Sequence, residues 1–135
     1  MTEALDLVQK AYEDFRRDGL EALVRYADPE VEFHEDARFP EAGVYRGLDA
    51  FREYTERFQE SFAEFDFEAE ELIDAGGGRV VALTLTGGVG KDSGADVRAR
   101  SAWIFTVRDG KIVRMDAYLD RAEGLKAAGL APPAG

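Results

Sequence analysis

Halfway along the chain the hydrophobic period changes, and this change restricts the fold more than any other feature. Up to residue 62 apolar residues recur every three or four positions; from Phe65 onward they run in long or alternating β-type stretches. Leu5, Val8, Ala11, Tyr12 and Phe15 form one helical stripe behind Thr2, a suitable N-cap, and Asp18-Gly19 breaks it. Leu20, Leu23, Val24 and Ala27 form a short second stripe that Asp28-Pro29 ends. Val31–Glu35 reads as a strand, Arg38–Gly43 as a loop, and Val44–Gly47 as the lead into a third helix with the aromatic stripe Phe51, Tyr54, Phe58 and Phe62.

Four strands are expected in the second half. They run from Phe67 to Asp74, Arg79 to Gly88, Asp96 to Val107 and Ile112 to Leu119. The turns between them are Gly76-Gly77-Gly78, Gly90–Gly94 and Arg108-Asp109-Gly110-Lys111. Asp120 and Glu123 have capping-box spacing for a short last helix that suits termination at Gly129. Helices gathered at the front and strands behind predict an α+β fold, not an alternating βαβ one. The predicted architecture is a strongly curved, cone-like antiparallel sheet with the N-terminal helices on its concave face. One domain is expected over 1–130, with 131–135 as a flexible tail.

Composition narrows the function. The formal net charge of −11 argues against nucleic acid and anionic membrane surfaces as partners. There is no cysteine and only one histidine, His34, so thiolate chemistry, zinc ribbons and multi-histidine metal sites are excluded; neither a metal nor a cofactor is expected. No apolar run approaches the roughly 20 residues of a membrane span, and the opening MTEALDLVQK has no basic-then-apolar signal pattern. A cytoplasmic location is the expectation. The glycine-rich stretch Gly87–Gly94 is not a phosphate loop: Asp92 stands where Ser or Thr must follow the lysine, and a strand comes after it.

Strand parity points to candidate site residues. If Val31 and Phe33 face the core, Glu35 does too and His34 faces outward; a register shift of one residue reverses this, which keeps His34 as a secondary candidate. A carboxylate among apolar neighbours is disfavoured in its charged form and suited to proton transfer near neutrality. The alternative for Glu35 is a strand-end carboxylate reaching water or pairing with Arg38. Tyr12 is either plain core or an inward hydroxyl that donates to a ligand oxygen. In the closing hairpin Ser101, Trp103, Phe105 and Val107 share a face, as do Met115, Ala117 and Leu119. Arg98, Arg100, Arg114, Asp116 and Tyr118 face the other way, either as a polar subunit interface or as cross-strand Arg–Asp pairs.

The order of these pieces resembles the SnoaL-like branch of the nuclear transport factor 2-like superfamily, which includes ketosteroid isomerase. The resemblance rests on the opening helix with Tyr12, Tyr26–Phe33, Tyr45-Arg46-Gly47 before a helix, Trp103–Lys111, and Met115–Leu119 with the ending Tyr118–Glu123. It implies a helix-closed cone around a pocket, and homodimers through the outer sheet face, here Arg98, Arg100, Asp116 and Tyr118. In isomerase-like sites a helix tyrosine and a protonated aspartate polarise a ketone while a strand aspartate moves the proton. Tyr12 matches the tyrosine, Phe33 falls near the proton-moving carboxylate with Glu35 one inward position on, and Trp103 falls near the oxyanion aspartate. The polyketide cyclases and epoxide hydrolases of this fold carry an aspartate on the last strand, where Ala117 stands here; Asp116 beside it points to the other face. The hydrolases also need an inward Arg and Asp that Val81–Thr86 does not offer. The expected protein is therefore a pocket for a hydrophobic small molecule, lined by Phe15, Phe33, Phe58, Trp103, Phe105, Met115, Ala117 and Leu119, with Glu35 and Tyr12 as the polar candidates. It is either a proton-transfer enzyme acting on a carbonyl compound or a non-catalytic binder, with homodimerisation as a third role.

Overall fold

The structure is a computed structural model that describes residues 3–36 and 43–130. Thr2, the 38–42 part of the expected loop and the 131–135 tail lie outside the described residues. Helices α1 (Glu3–Asp18) and α2 (Glu21–Tyr26) are followed by strands β1 (Ala27–Glu35) and β2 (Gly43–Arg46), then helix α3 (Leu48–Glu60). Strands β3 (Phe62–Gly76), β4 (Arg79–Gly90), β5 (Asp96–Arg108) and β6 (Lys111–Tyr118) come next, and α4 (Arg121–Ala127) ends the fold. The six strands form one curved, unclosed sheet in the order β2-β1-β6-β5-β4-β3.

The α+β architecture is as the period change implied; several boundaries differ from the sequence reading. β1 pairs with β6 in parallel, so the sheet is mixed rather than wholly antiparallel. β1 begins at Ala27, not Val31, and runs through Pro29. Its pairing with β6 is interrupted between Ala27 and Glu32, so the proline's missing N–H deprives no regular rung of a donor. Gly43–Arg46 forms β2 against β1 instead of a mere lead into the helix. Phe62 belongs to β3, because α3 stops at Glu60 and Phe62 pairs with Gly90. Its aromatic spacing continues the helical stripe and conceals the switch.

Gly87 and Gly88 lie in β4, which runs on to Gly90, two residues past the expected end. Their φ values are 149° and 153°. A Cβ on Gly87 would lie 1.9 Å from the Val97 carbonyl oxygen, and one on Gly88 1.7 Å from that of Glu64. Only glycine allows β3 and β5 to close in on β4 here. The β5–β6 turn has Asp109 at φ 53° and Gly110 at φ 74°, the left-handed pair of a tight hairpin.

Helices pack on both sheet faces. On the inner face α1, α2 and α3 enclose a core that includes Val8, Leu23, Phe33, Phe51, Val80, Phe105, Ile112 and Met115. On the outer face Leu125 of α4 and Ala128 just after it pack on Val81, Leu83, Ala102 and Ile104. The side chain of Asp120 caps α4 by accepting from the Glu123 N–H at 3.1 Å. Beyond the helix Leu130 N–H returns to the Leu125 carbonyl at 2.8 Å, as the expected terminus at Gly129 requires. No helix among the described residues is long and apolar enough to cross a membrane.

Candidate functional site

The inner face is not filled throughout. A cavity of about 340 Å³ remains between α2, α3 and the sheet. Tyr54, Thr55 and Phe58 of α3 form one wall, and Phe62, Phe65 and Phe67 of β3 a second. Leu20 and Leu23 close it at α2, while Thr86, Ala99, Ser101 and Trp103 of β4 and β5 form the sheet side with Ala117 and Leu119. Glu35 enters from the end of β1.

Local geometry holds Glu35 there. Phe33 and Glu35 are in register with Met115 and Ala117 of β6. One residue on, Asp36 locks the strand end: its N–H donates to the Ala117 carbonyl at 3.0 Å and its carboxylate accepts from Leu119 N–H at 3.1 Å. Oε2 of Glu35 is buried. Glu35 is the only carboxylate lining the cavity among the described residues. Arg38, the expected alternative partner, lies outside them.

The other predicted residues divide into three groups. Phe58, Trp103, Ala117 and Leu119 line the cavity as expected. Phe33, Phe105 and Met115 are fully buried, without exposed surface, and stand behind the lining: Phe33 stacks on Trp103 at 5.2 Å and packs on Tyr54 at 4.9 Å. Tyr12 and Phe15 do not join Glu35; they line a separate open groove of about 1010 Å³ between α1 and β3.

Tyr12 is also committed chemically. Its ring stacks on Phe67 at 4.7 Å and its hydroxyl lies 2.8 Å from Thr84 Oγ1. Thr84 donates its own hydrogen to the Ala82 carbonyl at 3.0 Å, so Tyr12 is the donor of the pair. Burial pushes the Tyr12 phenol well above the ordinary tyrosine value, with the Thr84 bond a smaller opposing effect.

His34 and the charged set lie on the outer face, as parity implied. His34 Nε2 is 2.9 Å from Glu32 Oε1, and this bond holds the exposed Glu32 carboxyl below its usual range. Arg114 grips Asp116 at 3.0 Å, and Arg98 crosses the bare Gly87 position to reach Asp66 at 2.6 Å. Burial raises the phenol of Tyr118, with Asp116 adding to it. Arg98 and Asp66 thus form a cross-strand pair, whereas Arg114 and Asp116 pair along their own strand, and α4 covers the apolar part of this face. Among the described residues no group of three His, Asp or Glu is placed to hold a metal ion.

Sequence reading missed the β3 aromatics Phe62, Phe65 and Phe67 and the polar residues Thr86 and Ser101 as cavity lining. Ser101 was visible through its parity with Trp103. The β3 residues had no such signal, because their side depends on where α3 stops.

The family model for the SnoaL-like domain matches residues 8–115. Among solved structures, a nuclear transport factor 2-like protein from Burkholderia thailandensis E264 is 28% identical, covering 98% of this chain and 100% of its own, with a TM-score of 0.78. TerC, co-crystallised with polyporic acid, is 20% identical over 95% of this chain and 99% of its own, with a TM-score of 0.73. A candidate SnoaL-like polyketide cyclase from Mesorhizobium loti is 21% identical over 87% and 99%, with a TM-score of 0.67. No curated protein is significantly similar to the chain.

Proposed function

The chain belongs to the SnoaL-like domain family, and on that footing we propose that its cavity binds a hydrophobic carbonyl compound on which Glu35 moves a proton, as in isomerase- or cyclase-type reactions. One observation carries this reading: Glu35, the single carboxylate among the described lining residues, enters a cavity whose other walls are mainly apolar and aromatic, with one oxygen buried. A ligand carbonyl acidifies the neighbouring C–H, and a carboxylate within reach takes that proton and returns it to the same or a conjugated carbon. Such a step needs no cofactor. The aromatic walls exclude water and hold the ligand's apolar body. TerC, of the same fold, was co-crystallised with polyporic acid, which supports the cavity as a ligand chamber.

The test is hydrogen–deuterium exchange at the α-carbon of a panel of aromatic and alicyclic ketones in D2O, followed by mass spectrometry. Glu35→Gln should lower the exchange rate by about 10² or more relative to wild type. Equal rates in both proteins would remove Glu35 from the chemistry.

A non-catalytic binder is the second reading. It is favoured by Tyr12, whose hydroxyl is committed to Thr84, and by Trp103 and Ala117, which stand where the resembling enzymes carry carboxylates. It predicts ligand retention in native mass spectrometry and a thermal shift that survives Glu35→Gln, with no exchange in either protein.

A further inference from the structure

The inner faces of β4 and β5 carry three hydroxyls, and the fold uses one of them. Thr84 pairs across the strands with Ser101, and Thr86 stands two residues further along β4, opposite Ala99. Thr84 is saturated by the Ala82 carbonyl and by Tyr12. Ser101 Oγ and Thr86 Oγ1 are buried and have no hydrogen-bond partner among the described residues. Ser101 is 2% exposed. Both residues line the cavity that holds Glu35.

A hydroxyl leaves a lone pair idle at small cost, but a buried O–H hydrogen without an acceptor is expensive. The side chains packed nearest them have none to offer, and no acceptor of the cavity, the Glu35 carboxylate included, is within hydrogen-bond distance of either hydroxyl. Val97, Ala99, Phe65 and Phe67 are apolar, and the indole N–H of Trp103 is a donor only. Thr55, also in the wall, has turned its hydroxyl to the Arg52 carbonyl at 2.8 Å. The acceptor has to arrive with the ligand.

We propose that Ser101 and Thr86 are the specificity-determining pair of this site, a two-hydroxyl docking point for a carbonyl or phenolic oxygen of an otherwise apolar ligand. The inference rests on the ligand-chamber reading above and adds the ligand's orientation. As diagonal neighbours the two residues stand roughly 7–8 Å apart at Cα, so one oxygen between them can receive both hydrogens. Glu35 on β1 is two strands from Ser101 on β5, with β6 between. Two strand spacings are roughly 10 Å. The docked oxygen is therefore not the carbonyl whose neighbouring C–H faces Glu35 but a second oxygen toward the far end of an elongated molecule, at least bicyclic in size.

Two probes of equal shape test this. 2-Acetylnaphthalene carries the oxygen acceptor, and 2-isopropenylnaphthalene replaces it with CH2. Their binding is measured by equilibrium dialysis against wild type, Ser101→Ala/Thr86→Val and Thr86→Ser. Wild type should hold the ketone about tenfold tighter than the hydrocarbon. The double variant should bind both alike at the hydrocarbon's affinity, and Thr86→Ser, which keeps its hydroxyl, should retain the preference. The ligand-free double variant should melt at the wild-type temperature or above it, since it loses no protein hydrogen bond; a lower melting temperature would mean that the hydroxyls serve the fold and would overturn the proposal. So would equal affinity of wild type for the two probes, or a preference that survives the double substitution. Hydrocarbon binding without ketone preference sinks the docking point and leaves the chamber standing; binding of neither probe sinks both.

Discussion

The Tyr12 hydroxyl donates to Thr84 Oγ1 at 2.8 Å, and Thr84 donates in turn to the Ala82 carbonyl. This relay ties α1 to the middle of β4 and takes the hydroxyl of Tyr12 out of the candidate chemistry. Tyr12→Phe should cost about 1 kcal/mol of stability and leave binding in the Glu35 cavity unchanged, as chemical denaturation and ligand titration would read. Loss of ligand binding with intact stability would return Tyr12 to the site.

The same burial sets an alkaline limit. The folded phenol titrates above its unfolded value, so the folded state keeps a proton that the unfolded chain releases. Stability from this residue is complete below about pH 10 and declines as the pH rises above it. Tyr12→Phe should flatten that decline in melting temperature between pH 9 and 11, measured against wild type, to the part left by Tyr26 and Tyr118, whose phenols are also raised.

Gly87→Ala and Gly88→Ala each place a methyl group within 2 Å of a backbone oxygen of an adjacent strand. Each should cost about 3 kcal/mol or more, or prevent folding. Gly94→Ala meets nothing within 4 Å and should cost only the left-handed strain, about 1–2 kcal/mol. Comparable melting temperatures for Gly88→Ala and Gly94→Ala would show that β3 and β5 do not crowd β4 at these glycines.

Phe33 and Phe58 look alike in sequence and differ in depth. Phe33 is wholly buried between Trp103, Tyr54 and Phe51, so Phe33→Ala should destabilise the fold by about 3–5 kcal/mol. Half-buried Phe58 lines the cavity, and Phe58→Ala should cost clearly less while admitting bulkier ligands. Thermal melts with a ligand size series separate the two; equal destabilisation would mean that the cavity is packed in solution.

Helix α4 is held by its cap and by Arg121, whose guanidinium donates to the Ser101 and Thr84 carbonyls at 3.1 and 2.9 Å and to Glu70 at 2.6 Å. Asp120→Ala should cost about 1 kcal/mol and Arg121→Ala about 1–3 kcal/mol. Both should speed proteolysis near the C-terminal helix, and an unchanged cleavage rate would count against this anchoring.

Local chemistry made some elements readable without coordinates. Asp109-Gly110 announced its hairpin, Asp120 and Glu123 announced a capped helix, and alternation from Ser101 to Val107 placed Trp103 inward and the arginines outward. Glu35 was legible for the same reason, since it shares parity with Val31 and Phe33. Elsewhere the local signal was ambiguous. The aromatic spacing from Phe51 to Phe62 is helical throughout, yet the last of these joins β3. The strand expected to end at Gly88 runs on to Gly90, because β3 and β5 continue the ladder beside it. Pro29 reads as a stop signal, yet it falls in an irregular stretch of a strand.

By itself the sequence determined periodicity, turn chemistry and side-chain parity, because each depends on residues within a few positions of one another. From these follow the α+β class, the family resemblance and the inward carboxylate. Tertiary structure alone decided which inward residues share a cavity. Tyr12 and Glu35 both face the inner side, but the approach of α1 to β4 offers Tyr12 an acceptor in Thr84, while the packing of α2 and α3 on the sheet leaves space beside Glu35, Thr86 and Ser101. Both outcomes depend on contacts between segments more than 50 residues apart in the chain, and no local pattern encodes which buried hydroxyl finds a partner and which is left for a ligand.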